Sequence, residues 1–341
     1  FFFELCTCTL AHGLMLLTLL AAAHCLGLCD ALRASAWSRT PPSPVAAEIG
    51  RQQRNCTQPL TWQLPLSSLG SSLYAWSNAM CFAMQAHASL IPRPQVLQGT
   101  KHWIWDDPTL CDKEWLDRPF TCYFGSPGVC LGTSSTPQLP ISTARCQYNR
   151  MPIGRFRAAA MESLFRGISS VMLFLAEGAL KSVFGSTHPP DDLITVTIQR
   201  QKEGIASGFN AMSDYIRAVQ AMADKHNLQR ISTFLLSGDA NAVAAFQMAC
   251  PKDWKVFVYL AAVVPHNASE AAAKRSPVDD ALRTRGRLGL ESLIALLLAL
   301  EAKYYVLARR SEWSWLVDDL RKSLVHAHCG GCTDMADLRE R

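Results

Sequence analysis

Leu193, Ile194, Val196 and Ile198, apolar and partly β-branched, follow a turn at His188-Pro189-Pro190 and predict a strand. The polar run Gln199-Arg200-Gln201-Lys202-Glu203 stands at its end. A helix is predicted over residues 211–225, with Tyr215, Val219 and Met222 on one face. A second strand over residues 231–239 ends at Gly238-Asp239 and leads into a helix over residues 240–248. A third strand covers "WKVFVYL" (residues 254–260), a buried helix residues 289–302, and a fourth strand with a polar tip residues 303–313. Residues 315–324 close the series as a helix. Strands alternating with helices predict a parallel, doubly wound sheet. In such sheets ligands bind outside the carboxyl ends of the strands. Three polar tips would meet there, at residues 199–203, 237–239 and 308–312.

The first half is patterned differently. Leu73, Trp76, Met80, Ala83, Met84 and Ala88 recur at helical spacing and predict a helix over residues 69–90. Gly70 and its flanking serines stand at its start, as an anion-receiving helix end or an ordinary serine cap. Trp103, Trp105, Trp115, Phe120 and Tyr123 crowd residues 102–124, able to stack on sugar rings or to fill a small disulfide-pinned core. Residues 161–184 predict one long helix. Residues 5–28 carry no charge and are long enough to span a bilayer. A signal peptide would be cleaved near Ala34-Ser35-Ala36, whereas a retained anchor would be followed by the Pro-rich, unpatterned residues 37–54 as a stem. The length of the run favours the anchor.

A chain of 341 residues can bury two cores or one large one. The net charge of +5 is not gathered into runs, which excludes a nucleic-acid footprint but suits a phosphorylated ligand. Nine cysteines follow the stem, at Cys56, Cys81, Cys111, Cys122, Cys130, Cys146, Cys250, Cys329 and Cys332. Behind an anchor, disulfides are the default. The odd number leaves one thiol over, with Cys81 and Cys250 the candidates. Cys329 and Cys332 form a lone CxxC, without the second pair that a four-coordinate zinc site needs. Sequons stand at Asn55-Cys56-Thr57 and Asn267-Ala268-Ser269.

Several stretches together resemble the α-1,6-fucosyltransferase-like glycosyltransferases, a superfamily that includes protein O-fucosyltransferases, and most closely its divergent algal members. "TIQRQKE" (residues 197–203) is similar by register to a strand ending His-x-Arg-x-Gly-Asp-Lys. "SLGSSLYAWSNAM" resembles a Gly-x-Gly-Ser-x-Leu-His loop, and "SEWSWLVDDLR" and "CGGCTDMADLR" resemble two later segments. The resemblance implies a GT-B-like α/β fold. Its C-terminal doubly wound, Rossmann-like donor domain would cover residues 191–341, and a smaller disulfide-rich acceptor-side half residues 55–190. Residues 1–29 would be the signal-anchor or signal peptide, and residues 30–54 the stem. It further implies GDP-fucose as donor substrate, a glycan or glycoprotein acceptor, inversion, and neither metal nor cofactor. The protein would be a single-pass Golgi or endoplasmic reticulum membrane protein with its bulk in the lumen, or secreted if cleaved.

The donor-binding positions so implied are Gly70, Thr197, Gln199, Arg200, Asp239 and Ser311, with Cys111, Cys122, Cys329 and Cys332 as disulfide candidates. The departures lie in the charged groups. Thr197 stands for the family's His and Gln199 for its first Arg, Ala206 is nearest its proposed base, Trp315 stands for an Arg and Tyr74 for a His. A neutral Gln lacks the charge and fork geometry of a guanidinium towards phosphate. The alternative is therefore a catalytically inactive relative that binds a glycan or partner protein, and no catalytic residue is assigned.

Overall fold

Ser43 and Pro44 open a helix where the sequence suggested a loose stem. In the computed structural model, which describes residues 37, 39–56, 58–95, 103–111, 118–125, 130, 136–139, 146–198, 211–263 and 276–338, α1 spans Pro44–Asn55. The Ser43 hydroxyl accepts from Ala46 N–H and donates to Glu162 (2.6 Å), and Pro44 takes the first turn, where its missing N–H costs nothing. Ala46 and Ile49 are buried, so this segment belongs to the folded unit.

β1 (Pro59–Gln63) and β2 (Ser89–Arg93) form a two-stranded parallel sheet that the sequence pattern did not predict. Between them runs α2 (Leu69–Gln85), which stops short of residue 90 because Ser89 already pairs with β1. After α3 (Thr121–Phe124), the single helix expected over residues 161–184 is instead α4 (Ile153–Phe165) and α5 (Ser170–Phe184), bent by 91°. Gly167 at the break lies so near Phe124 O that an added Cβ would come within 2.8 Å, and the Ser169 side chain caps α5 by accepting from Met172 N–H.

The alternating second half builds a five-stranded sheet from β3 (Leu193–Thr197), β4 (Ser232–Leu236), β5 (Lys255–Val258), β6 (Tyr304–Leu307) and β7 (Asp334–Asp337). The order is β5-β4-β3-β6-β7 and every neighbour is parallel. Helices α6 (Met212–Lys225), α7 (Ala240–Ala249), α8 (Pro277–Arg283), α9 (Arg287–Ala299) and α10 (Glu312–Leu320) connect the strands, and a π-helical run, Arg321–His326, extends α10. Side chains alternate across the sheet. Ile194, Val196 and Leu235 join Tyr215, Val219 and Phe246 on one side. Leu193, Phe234, Leu236 and Tyr305 join Leu180, Leu293 and Leu297 on the other. That second cluster continues into Trp76, Phe120 and Phe165 of the first half.

Cys111–Cys122 and Cys329–Cys332 are disulfides, as are Cys56–Cys130 and Cys81–Cys146. Cys81 is therefore paired, and Cys250 is the free thiol among the described residues. Asn55 is exposed at the end of α1. Asn267 and the uncharged run over residues 5–28 lie outside the described residues.

Candidate functional site at the strand tips

The chain leaves β3 in one direction to β4 and β5, and returns on its other side as β6 and β7. The strand order thus reverses between β3 and β6, and a crevice opens at the carboxyl ends of such a pair. Thr197 ends β3 there, buried, with its Oγ1 3.1 Å from Ser314 Oγ. Ser311, just past β6, caps α10: its hydroxyl accepts from Ser314 N–H (3.1 Å) and donates to Ser314 Oγ (3.3 Å). Gly70, in the first turn of α2, packs so tightly against α10 that an added Cβ would meet Trp313 N at 3.2 Å. Ser68 caps α2 by accepting from Ser71 N–H (3.2 Å).

Three of the sequence-derived positions, Gly70, Thr197 and Ser311, therefore meet in one place, and they bring two helix N-termini together. Each carries partial positive charge from its unpaired N–H groups and dipole. Asp239, at the tip of neighbouring β4, caps α7 through Asn241 N–H (2.9 Å), and its own N–H donates to Ser237 Oγ (3.2 Å). Gln199, Arg200 and Ala206 lie outside the described residues.

Arg309, at the tip of β6, pairs with Asp318 (2.6 Å) and with Asp337 of β7 (3.0 Å). Asp318 also receives Arg321 (2.8 Å) and Lys322 (2.6 Å). Burial works against its charge, but the hydrogen bonds from Lys322 and Arg321 prevail and hold the carboxyl below the usual carboxylate range.

One helical turn beyond Gly70 and Ser311, at Tyr74 and Trp315, two of the positions where the sequence departs from the family, lies a group whose other members, Arg157 and Asp319, no sequence pattern singled out. Tyr74 and Trp315 meet edge to face at 6.0 Å. The Arg157 guanidinium of α4 lies over both rings, 4.7 Å and 5.6 Å from their centroids. Its Nε is buried and has no hydrogen-bond partner among the described residues. Tyr74 OH donates to Asp319 (2.9 Å). Burial pushes the Asp319 carboxyl up to about 6, against the pull of the Tyr74 hydrogen bond and the Arg157 charge. Burial and Asp319 together keep the Tyr74 phenol protonated. Arg157 escaped the sequence reading because α4 is a plain amphipathic helix there, and its partners lie far along the chain.

Among the described residues no group of three or more His, Cys, Asp or Glu is placed to hold a metal ion. Two cavities, of about 400 and 750 Å³, lie along α1, away from the strand tips, and Arg51 and Arg54 line both.

The chain is similar to NodZ alpha-1,6-fucosyltransferase soaked with GDP-fucose, at 13% identity and a TM-score of 0.42, covering 77% of this chain and 92% of that one. The same enzyme co-crystallized with GDP gives 13% and 0.39, covering 76% and 91%. Se-Met fucosyltransferase NodZ from Bradyrhizobium gives 12% and 0.39, with the same coverage. No protein-family model and no curated protein matches the chain.

Proposed function

We propose that the protein is a fucosyltransferase-like glycosyltransferase of GT-B-like architecture that takes GDP-fucose as donor and a glycan or glycoprotein as acceptor. The observation that carries this reading is the meeting of two serine-capped helix N-termini at the switch point between β3 and β6. That geometry suits a diphosphate, whose oxygens accept from free N–H groups and hydroxyls. Arg157 supports the reading: its guanidinium lies over the rings of Tyr74 and Trp315, each one helical turn after Gly70 and Ser311. Transfer with inversion expels GDP as charge grows on its β-phosphate, and a guanidinium offsets that charge without a metal ion.

The segment over residues 5–28, the disulfides and exposed Asn55 support a place in the Golgi or endoplasmic reticulum membrane, with the folded unit in the lumen. A glycan found on Asn55 of protein from its native host would check that compartment.

Titration of GDP by calorimetry tests the donor site. Wild type should bind, and Arg157→Ala should bind about tenfold or more weakly, since a charge-assisted hydrogen bond is worth roughly 1.5–3 kcal/mol. No heat from GDP with wild type would remove the reading altogether. A second reading, an inactive relative that holds a glycan or a partner protein, is favoured by Tyr74 and Trp315. They stand where the family has a His and an Arg, and they pack on each other. Release of GDP from GDP-fucose in the presence of glycan acceptors separates an enzyme from an inactive binder.

A further inference from the structure

Three of the disulfides hold long loops or buried sulfurs. Cys56–Cys130 and Cys81–Cys146 span 74 and 65 residues, and Cys111–Cys122 is buried. The bond between Cys329 and Cys332 does neither. Its cysteines are three residues apart, so it removes the least chain entropy of the four, and both are exposed. It stands on a turn at the end of the π-helical run, where Gly331 N–H donates to His326 O.

Two further features bear on its chemistry. Cys332 N–H points at Cys329 Sγ, 3.0 Å away, a donor in place for a thiolate on that sulfur. Next in the chain, Thr333 is buried and holds the segment in place: its hydroxyl takes a hydrogen bond from Arg321 (2.8 Å) and contacts His326 Nδ1 (2.8 Å). The disulfide thus closes an exposed loop between two anchored ends.

We propose that Cys329 and Cys332 are a thiol–disulfide exchange site for a small-molecule thiol of the glutathione class. An external thiolate attacks exposed Cys332 Sγ. The bond between the two cysteine sulfurs breaks, and Cys329 leaves as a thiolate that receives the Cys332 N–H. A mixed disulfide now joins the external thiol to Cys332. A second external thiolate attacks the external sulfur of that bond and expels Cys332, and both protein sulfurs take up a proton. The protein gains two electrons and two protons, and two thiols become one disulfide. The reverse sequence reoxidises the pair.

The test uses the whole folded protein in reduced and oxidised glutathione at stepped ratios, with acid quenching, alkylation and peptide mass spectrometry. The Cys329–Cys332 pair should reach a ratio-dependent equilibrium, and should be reduced about tenfold or more faster than the other three pairs, since rate follows access of the attacked sulfur. Cys329→Ser, treated with oxidised glutathione, should accumulate a stable mixed disulfide on Cys332, because the sulfur that would expel it is gone. Reduction of all four pairs together, or only in denaturant, would overturn the proposal. So would Cys329→Ser that stays unmodified while keeping the melting temperature of wild type.

Discussion

Asp319 is a carboxyl that folding makes harder to ionise. Burial raises its pKa from 3.8 to about 6, and the groups facing it, Tyr74, Arg157, Asp318 and Lys322, leave that balance in place. The raised pKa contributes stability that is fully present below the unfolded value and is lost as pH rises through the folded one. That rise corresponds to at most about 3 kcal/mol between pH 4 and pH 7. Asp319→Asn, which keeps an acceptor for Tyr74, should therefore be more stable than wild type at pH 7 and near it at pH 4. Urea unfolding at the two pH values reads the difference, and an equal offset at both would refute it. Single residues also mark the limit of the sequence at the site. Gly70, Thr197 and Ser311 were named through the resemblance, and the fold brings them together at the strand tips. Asp319 and Arg157 gain their character from contacts such as Tyr74 to Asp319, 245 residues apart, which no local pattern records.

At the scale of elements, strands β3 to β6 were legible because each is a short apolar run framed by polar residues. β7 was not: Asp334-Met335-Ala336-Asp337 has low strand propensity and becomes a strand only by pairing along the edge of β6. The break between α4 and α5 and the helix at α1 were missed for related reasons. In the first, apolar periodicity continues across a bend set by a tertiary contact. In the second, prolines suggested a linker although one of them begins a helix. Close contacts of this kind set the sign of a substitution. Gly178 lies exposed within α5, and an added Cβ would meet nothing within 4 Å. Gly178→Ala should stabilise by about 0.5–1 kcal/mol, the ordinary helical gain. Gly289 in α9 touches the aromatic loop, and a Cβ would fall 2.2 Å from Trp105 O. Gly289→Ala should cost about 2 kcal/mol or more, since the Trp105 backbone must move. Chemical denaturation of both variants checks the pair, and a gain at Gly289 would show that the loop does not rest on α9.

Across the whole molecule, the two halves differ in what holds them. The sheet of the second half is covered on both faces by apolar clusters. The first half has a two-stranded sheet and shares one of those clusters, and three disulfides lie in it, two of them closing long loops: Cys56 at the end of α1 to Cys130, and Cys81 within α2 to Cys146. In the chain-entropy account a bond closing a loop of 65 residues restricts the unfolded chain by about 4 kcal/mol, and one closing three residues by about 2 kcal/mol. Cys81→Ser with Cys146→Ser should therefore lose about twice as much stability as Cys329→Ser with Cys332→Ser, and more if the buried hydroxyls lack partners. Urea titration of the two double variants at neutral pH decides this. Equal losses would mean that the CxxC bond is a structural staple like the others. A small loss at Cys329 and Cys332 beside a large one at Cys81 and Cys146 would place the fold's dependence on oxidation in its first half, and leave the terminal pair free to change state without unfolding the chain.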